Sequence, residues 1–229
     1  PGAALTYGLA RPFEAGPDAL HLEETLAWLE RAHDASGGRG VSCWYSPRGW
    51  HPDPYPETSG YILRTFLHAA QFGGARLADR ALAIGEWELT VQQPSGGIPS
   101  SVRDPRVLRV FNTGQVVLGW CALADATGEV RWLEAGRRAA RWLRTIQARD
   151  GSWPTDTHCG ARTYDACVAW ALLELASRTG EADFGRAAAA QIRWVLARQT
   201  PGGWFDACGF DPALPDTHTL GYTLRGLLE

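Results

Sequence analysis

Four short strings carry the side chains in this chain that could move a proton or hold an anion, and they recur at a near-constant interval. Glu57 precedes Tyr61 and Arg64, Asn112 precedes Gln115, Tyr164 adjoins Asp165, and His218 precedes Tyr222 and Arg225. Carboxylates and an imidazole are the usual general acids and bases near neutral pH, which makes Glu57, Asp165 and His218 the catalytic candidates. A guanidinium on an otherwise apolar helix is costly unless it meets a carboxylate or lines a wet cavity, so Arg64 and Arg225 read as binders of anionic groups. Tyr61, Asn112, Gln115, Tyr164 and Tyr222 would then orient hydroxyls. Each has a plainer reading: Glu57 and Asn112 as helix caps, Tyr61 and Tyr222 as core, His218 as the cap of its own helix. A carboxylate pair drawn from Glu57, Asp156, Asp165 and Asp206 would suit glycoside hydrolysis. A His/Tyr base with Arg on a uronate carboxyl would suit a lyase or epimerase, and both stay open.

The elements that must position these residues repeat. Gln93-Pro-Ser-Gly-Gly97-Ile98, Gln147-Ala-Arg-Asp-Gly151-Ser-Trp153 and Gln199-Thr-Pro-Gly-Gly203-Trp204 each follow an apolar helical stretch, with the glutamines 54 and 52 residues apart. The segments opening at Gly60, Gly114, Ala166 and Gly221 align at spacings of 54, 52 and 55, and the first and last share Gly-Tyr-x-Leu-Arg. A period of about 50 residues means stacked supersecondary units. Helical periodicity marks 18–34, 57–72, 75–92, 112–126, 129–148, 164–178, 181–199 and 217–229, with no strand-like alternation. Thr-Gly-Glu turns join some helices tightly, and loops of 15 to 20 residues join the others. Segments 112–126 and 164–178 are apolar on nearly all faces; 129–148 and 181–199 are amphipathic. An inner ring enclosed by an outer ring follows: an all-α, α/α toroid of about four helical hairpins, with 1–229 as a single domain. All long loops, and the N-termini of the inner helices, fall at one end, where unpaired N–H groups favour an anion. The loop aromatics Trp44, Trp50, Trp153, Trp204 and Phe205 would ring the mouth, to stack on sugars or simply to staple loops to hairpins.

Composition narrows the classes. A net charge of -3 gives no reason to expect nucleic acid, and no apolar run reaches the length of a membrane span. All 22 basic residues are arginine and there is no methionine, as in a GC-rich bacterial genome. The 5 cysteines form no Cys-x-x-Cys pair, so reduced thiols in a cytoplasmic protein are expected.

The Gln-x-x-x-Gly-x-Trp loops resemble those of the prenyltransferase and squalene-cyclase superfamily. The strings Pro56-Glu-Thr-Ser-Gly-Tyr61, Phe111-Asn-Thr-Gly-Gln115 and Thr217 through Glu229 are similar to toroid proteins of bacterial exopolysaccharide gene clusters. The resemblance implies about six hairpins, an oligo- or polysaccharide partner, and no cofactor. The chain starts on an outer helix and ends in an inner one, so a piece of a longer toroid is expected, with further C-terminal hairpins or self-association covering its edges. Asp165, Cys167 and His218 also resemble the Asp-x-Cys…His zinc set of protein prenyltransferase β subunits, which would make zinc the cofactor and an isoprenoid the rival ligand. No Asp-x-Asp-Asp acid of the squalene cyclases is present, and His158-Cys159-Gly160 matches the lanthionine cyclases in the wrong order. A non-catalytic glycan-binding or scaffold module is the third class.

Overall fold

The computed structural model describes residues 16–211, 214 and 216–229. Residues 1–15, 212, 213 and 215 of the expected 1–229 domain lie outside them. Among the described residues there are eight α-helices: α1 (Asp18–Ala35), α2 (Pro56–Gly73), α3 (Ala75–Val91), α4 (Val110–Thr127), α5 (Val130–Thr145), α6 (Ala166–Thr179), α7 (Ala182–Leu196) and α8 (Thr217–Leu228). A 3-10 turn, Thr163–Asp165, leads into α6.

Helices α2, α4, α6 and α8 pack in sequence, each against the next, and α3, α5 and α7 cover them as the returning arms of hairpins. Composition dictates this sorting. Every residue of α4 from Val110 to Cys121 is buried, so it needs cover on all sides. On α5, Trp132, Ala135, Ala139, Trp142 and Leu143 form a buried stripe while arginines occupy the other face. Arg76 and Arg80 of α3 pair with Glu30 and Asp34 of α1, which places α1 in the outer layer. The hairpin turns end α4 and α6 at Gly128 and Gly180, both left-handed, as C-caps demand. The inner row curves: the end helices α2 and α8 approach until the Tyr61 and Tyr222 hydroxyls lie 3.4 Å apart. Exposed apolar side chains mark both ends of the row, Leu20, Leu22 and Trp28 on α1 and Leu224 and Leu228 on α8.

The long loops repeat in geometry more faithfully than in letters. Gln92 Nε2 donates to the Gly96 carbonyl at 2.9 Å and to the Ala135 carbonyl of α5 at 3.0 Å. Gln147 Nε2 donates to Gly151 at 2.8 Å and to Ala187 of α7 at 2.9 Å. Gln199 Nε2 reaches Gly203 at 3.4 Å. The first loop is therefore led by Gln92, not Gln93. Six residues beyond these glutamines, Ile98, Trp153 and Phe205 are buried, so Phe205 rather than Trp204 takes the place of Trp153. The Gln-Gln and Trp-Phe doublets offered two registers, and only the hydrogen bonds separate them. The loops also hold two antiparallel hairpins, β1 (Tyr45–Ser46) with β2 (Gly49–Trp50) and β3 (Pro99–Ser101) with β4 (Asp104–Leu108). They are too short for the alternation by which a strand is recognised.

Two stability tests follow from this packing. Gly96 (φ 102) and Gly203 (φ 86) hold the same loop position, yet a Cβ at Gly96 would lie 2.2 Å from the Arg138 carbonyl oxygen, whereas at Gly203 nothing described lies within 4 Å. Gly203→Ala is expected to cost about 1 kcal/mol through its left-handed backbone alone, and Gly96→Ala more than about 2 kcal/mol, read by chemical denaturation. Glu88 of α3 is fully buried with neither carboxylate oxygen hydrogen-bonded among the described residues. Burial holds its carboxyl well above the usual range. The folded state thus keeps a proton that the unfolded chain releases, and stability falls as pH rises past the ordinary carboxylate range. Glu88→Gln removes that loss, so melting curves should show the variant gaining on the parent as pH rises above the ordinary carboxylate range.

Candidate functional site

The N-terminal turns of α2 and α8 bring the strongest chemistry together. Glu57, in the first turn of α2, caps nothing. It accepts hydrogen bonds from the Tyr61 hydroxyl at 2.7 Å on Oε1 and from the Tyr55 hydroxyl at 3.2 Å on Oε2. A hydroxyl has one proton, and Tyr61 gives its proton to Glu57, so in the contact with Tyr222 it is Tyr222 that donates. On α8 the cap is Asp216, whose Oδ1 accepts from the His218 backbone N–H at 3.0 Å, leaving the imidazole free of capping duty. That ring stands edge-on to Tyr222 with centroids 4.5 Å apart.

Aromatic side chains wall this site. Phe111 of α4 lies 4.8 Å from Tyr222 and 5.5 Å from Tyr164, and Phe210 of the last loop lies 5.7 Å from Tyr164 and 6.1 Å from His158. Between them, Glu57, His158 and His218 open on a cavity of about 50 Å³. Burial raises the Glu57 carboxyl above its usual range, against the pull of the Tyr61 and Tyr55 hydroxyls and the His218 charge. A carboxyl in an apolar pocket with a raised pKa is a general acid by environment. Burial lowers His158, and the Arg109 charge adds to this, so that ring favours its neutral form.

Arg64 and Arg225 do not share this cavity. They lie on the far side of the Tyr61–Tyr222 contact, in a space of about 280 Å³ that also takes in Gln115, Cys167 and Trp170. Both guanidinium groups address one ring, Trp170, at 4.5 Å and 5.1 Å from its centroid. The sequence groups the arginines with Glu57 and His218 in the same strings; the structure sets them in separate cavities.

Other candidates fall outside both cavities. Asp165 is 0% exposed, neither carboxylate oxygen has a hydrogen-bond partner among the described residues, and burial raises it well above the ordinary range. It holds the register place of Ser59 and Thr113, whose hydroxyls accept from the Val41 and Ile98 backbone N–H groups and tie loops to inner helices. Asn112 is likewise buried, its Nδ2 donating to the Pro99 carbonyl at 3.1 Å. Trp153 is 0% exposed and its indole donates to the Leu143 carbonyl, so it staples a loop and offers no face to a sugar. Trp204 is half-exposed beside Asp206 and Asp211, away from the lumen. Trp50 packs with Trp28 and Tyr45 on the first loop.

The residues do not fit a zinc site. Cys167 Sγ donates to the Tyr222 carbonyl at 3.1 Å, and burial pushes its thiol up to about 12. Asp165 is sealed in the interior while His218 stands over Tyr222. Among the described residues no group of three or more His, Cys, Asp or Glu is placed to hold a metal ion.

No family model and no curated protein matches the sequence. Solved structures do match. The Lin0763 protein of Listeria innocua superimposes with a TM-score of 0.69 at 13% identity, over 91% of this chain and 64% of that one. A possible member of the GH105 family from Salmonella enterica serovar Paratyphi A gives 0.64 at 14%, over 92% and 65%. Unsaturated glucuronyl hydrolase of Bacillus sp. GL1 gives 0.64 at 16%, over 81% and 58%. The fold is an α/α toroid. The chain spans less than two thirds of the length of each of these three.

Phe111, His158, Phe210, Tyr55 and Trp170 escaped the sequence reading as site residues. Phe111 sits beside Asn112 in a string already singled out, so its place at the head of an inner helix was the available signal. Nothing local marks Trp170, because its partners come from the first and last repeats. The electrostatics of Glu57 can be checked directly. Tyr61→Phe deletes the shorter of its two hydroxyl donors, and a hydrogen bond to the ionised form favours that form. The Glu57 titration, followed by carbon-13 NMR of labelled carboxyls, should move further upward in the variant.

Proposed function

We propose that this chain handles an acidic or polyhydroxylated oligo- or exopolysaccharide by acid/base chemistry at the loop end of its lumen. The observation that carries the reading is the Glu57 carboxyl, raised by burial, held by two tyrosine hydroxyls and facing His218 across an aromatic-walled cavity. Glu57 would give a proton to a departing sugar oxygen, and His218 would take one from the sugar. Tyr61 and Tyr222 hold the acid in place, and the cavity of about 50 Å³ between Phe111, Tyr164 and Phe210 admits the reacting oxygen of a sugar whose ring lies at its mouth. Among the described residues lining this cavity Glu57 is the one carboxylate. That favours proton transfer of the lyase or epimerase type over hydrolysis by a carboxylate pair, which needs a second acid across the scissile bond.

Similar folds in carbohydrate-active proteins lend support at the level of architecture. They include a polysaccharide lyase, an enzyme of glycosaminoglycan degradation and an α-1,6-mannanase of Salegentibacter sp. in complex with a mannotetrose. The rival isoprenoid reading needs a lumen lined mainly by aromatics. The arginines and the glutamine of the deeper cavity speak for a polar ligand instead. A cytoplasmic setting belongs to the same proposal; no described helix is long and apolar enough to cross a membrane.

The test is a panel of uronate-containing and neutral oligosaccharides, scored for binding by calorimetry and for turnover by ultraviolet absorbance of unsaturated ends and by product analysis. Turnover of an acidic member is expected, falling about 100-fold or more in Glu57→Gln and in His218→Ala, with binding held within a few-fold. Binding without turnover in the parent would make the chain a glycan-binding module. Binding of no member would sink the reading.

A further inference from the structure

We propose that Arg64, Arg225 and Gln115 form an oxyanion-binding site on the hairpin-turn side of the Tyr61–Tyr222 contact, separate from the Glu57 site and open at the opposite end of the helix row, where the Arg225 side chain is 56% exposed. The ligand class is a compact oxyanion: the carboxylate of a uronic acid, or a sulfate or phosphate group. The site does not rest on the rim chemistry proposed above.

The charges come first. Arg64 on α2 and Arg225 on α8 lie over the same indole and repel one another; burial and then the Arg225 charge hold the Arg64 guanidinium below its usual range. Among the described residues Arg64 has no ion pair, and the pair that Arg225 makes, with the half-exposed Glu229 at the chain's last position, is long at 3.8 Å. The nearest acids are engaged elsewhere. Glu174 accepts from the Trp170 indole and from Arg178 Nη1, and Asp125 accepts from Nε and Nη2 of the same Arg178. No carboxylate lines the 280 Å³ cavity among the described residues. Two like charges held together by one indole become a fork once an anion stands between them.

The second observation is independent of charge. Gln115 is 4% exposed, lines the same cavity, and its Nε2 has no hydrogen-bond partner among the described residues. A buried amide donor left unmet inside a protein is uncommon and calls for a partner. An oxyanion accepts from guanidinium and amide alike, whereas a cation or an apolar group would satisfy none of the three.

The route in follows from the neighbouring space. Past Thr65 the cavity continues into an open cleft of about 650 Å³ bordered by His68, Gln71, Asp125 and Ala126, near the C-terminal ends of α2 and α4. That is the end where the short hairpin turns lie, opposite the long loops. Toward the loops the Tyr61–Tyr222 contact closes the lumen. The space of about 280 Å³ takes one sugar unit or an inorganic oxyanion, and Arg64 and Arg225 also border the open cleft beside it.

Isothermal titration with glucuronate, inorganic sulfate and inorganic phosphate, at low and at raised sodium chloride, tests the site. At least one probe is expected to bind with a Kd below about 5 mM, more weakly at high salt. The strongest of the three tells a planar carboxylate from a tetrahedral anion. Arg64→Gln and Arg225→Gln should each weaken that probe at least tenfold, and Gln115→Leu, which keeps an apolar fill, should weaken it several-fold. Glu57→Gln should leave it within twofold. Melting curves of each variant confirm that it is folded, and Arg64→Lys, which keeps the charge, should lose less than Arg64→Gln. Failure of all three probes to bind the parent at about 20 mM, or binding unchanged in both arginine variants, overturns the site. A loss in Glu57→Gln as large as in Arg64→Gln overturns its separateness.

Discussion

The glutamines that follow α3 and α5 tie one repeat to the next. Gln92 and Gln147 each use a single amide NH2 group twice, once on the glycine carbonyl four residues on and once on a backbone carbonyl of the following outer helix. The first bond folds the loop back on itself, and the second presses it against the next hairpin. That close approach is why Gly96 and Gly151 cannot carry a Cβ: it would meet the backbone at Arg138 and Ala190. With the loop so placed, Ile98 and Trp153 drop into the core six residues later. The rim site exists because α2 and α8 start together, with Glu57 and His218 in their first turns.

This dependence explains what could be read from the sequence and what could not. The eight helices were legible because burial on one face or on all faces is written into each segment alone. Their ends were less so. The apolar pattern runs on to Gln147 and Gln199, yet α5 stops at Thr145 and α7 at Leu196. The backbone must leave the helix for the amide to reach its carbonyls, and that is a tertiary demand. The Gln-Gln and Trp-Phe doublets hid the register for the same reason.

For the site, residues whose role is local were found and residues whose role is relational were not. Glu57 with Tyr61, and His218 with Tyr222, sit a turn apart on one helix, and spacing alone reveals them. Asp165 looked equally chemical by type. Its place matches Ser59 and Thr113 instead, and its carboxylate is sealed in the interior. Trp170 is the converse case. It reads as one more apolar residue of α6 until helices from the first and last repeats bring Arg64 and Arg225 over its ring.

The two cavities differ in chemistry, one with a carboxyl and two histidines and the other with two arginines, and a chain of hydroxyls lies between them. With Glu57 ionised, its Oε1 takes the Tyr61 proton, and Tyr61 can only accept from Tyr222. Tyr222 then presents lone pairs, not a proton, to the arginine side. Hydrogen bonds in such a chain polarise one another in a low-dielectric interior. The rim acid and the arginine-lined space are thus separated by two tyrosines whose hydroxyls lie 3.4 Å apart. Replacing either tyrosine by phenylalanine would leave the cavities adjacent but break the hydrogen-bond chain that joins them.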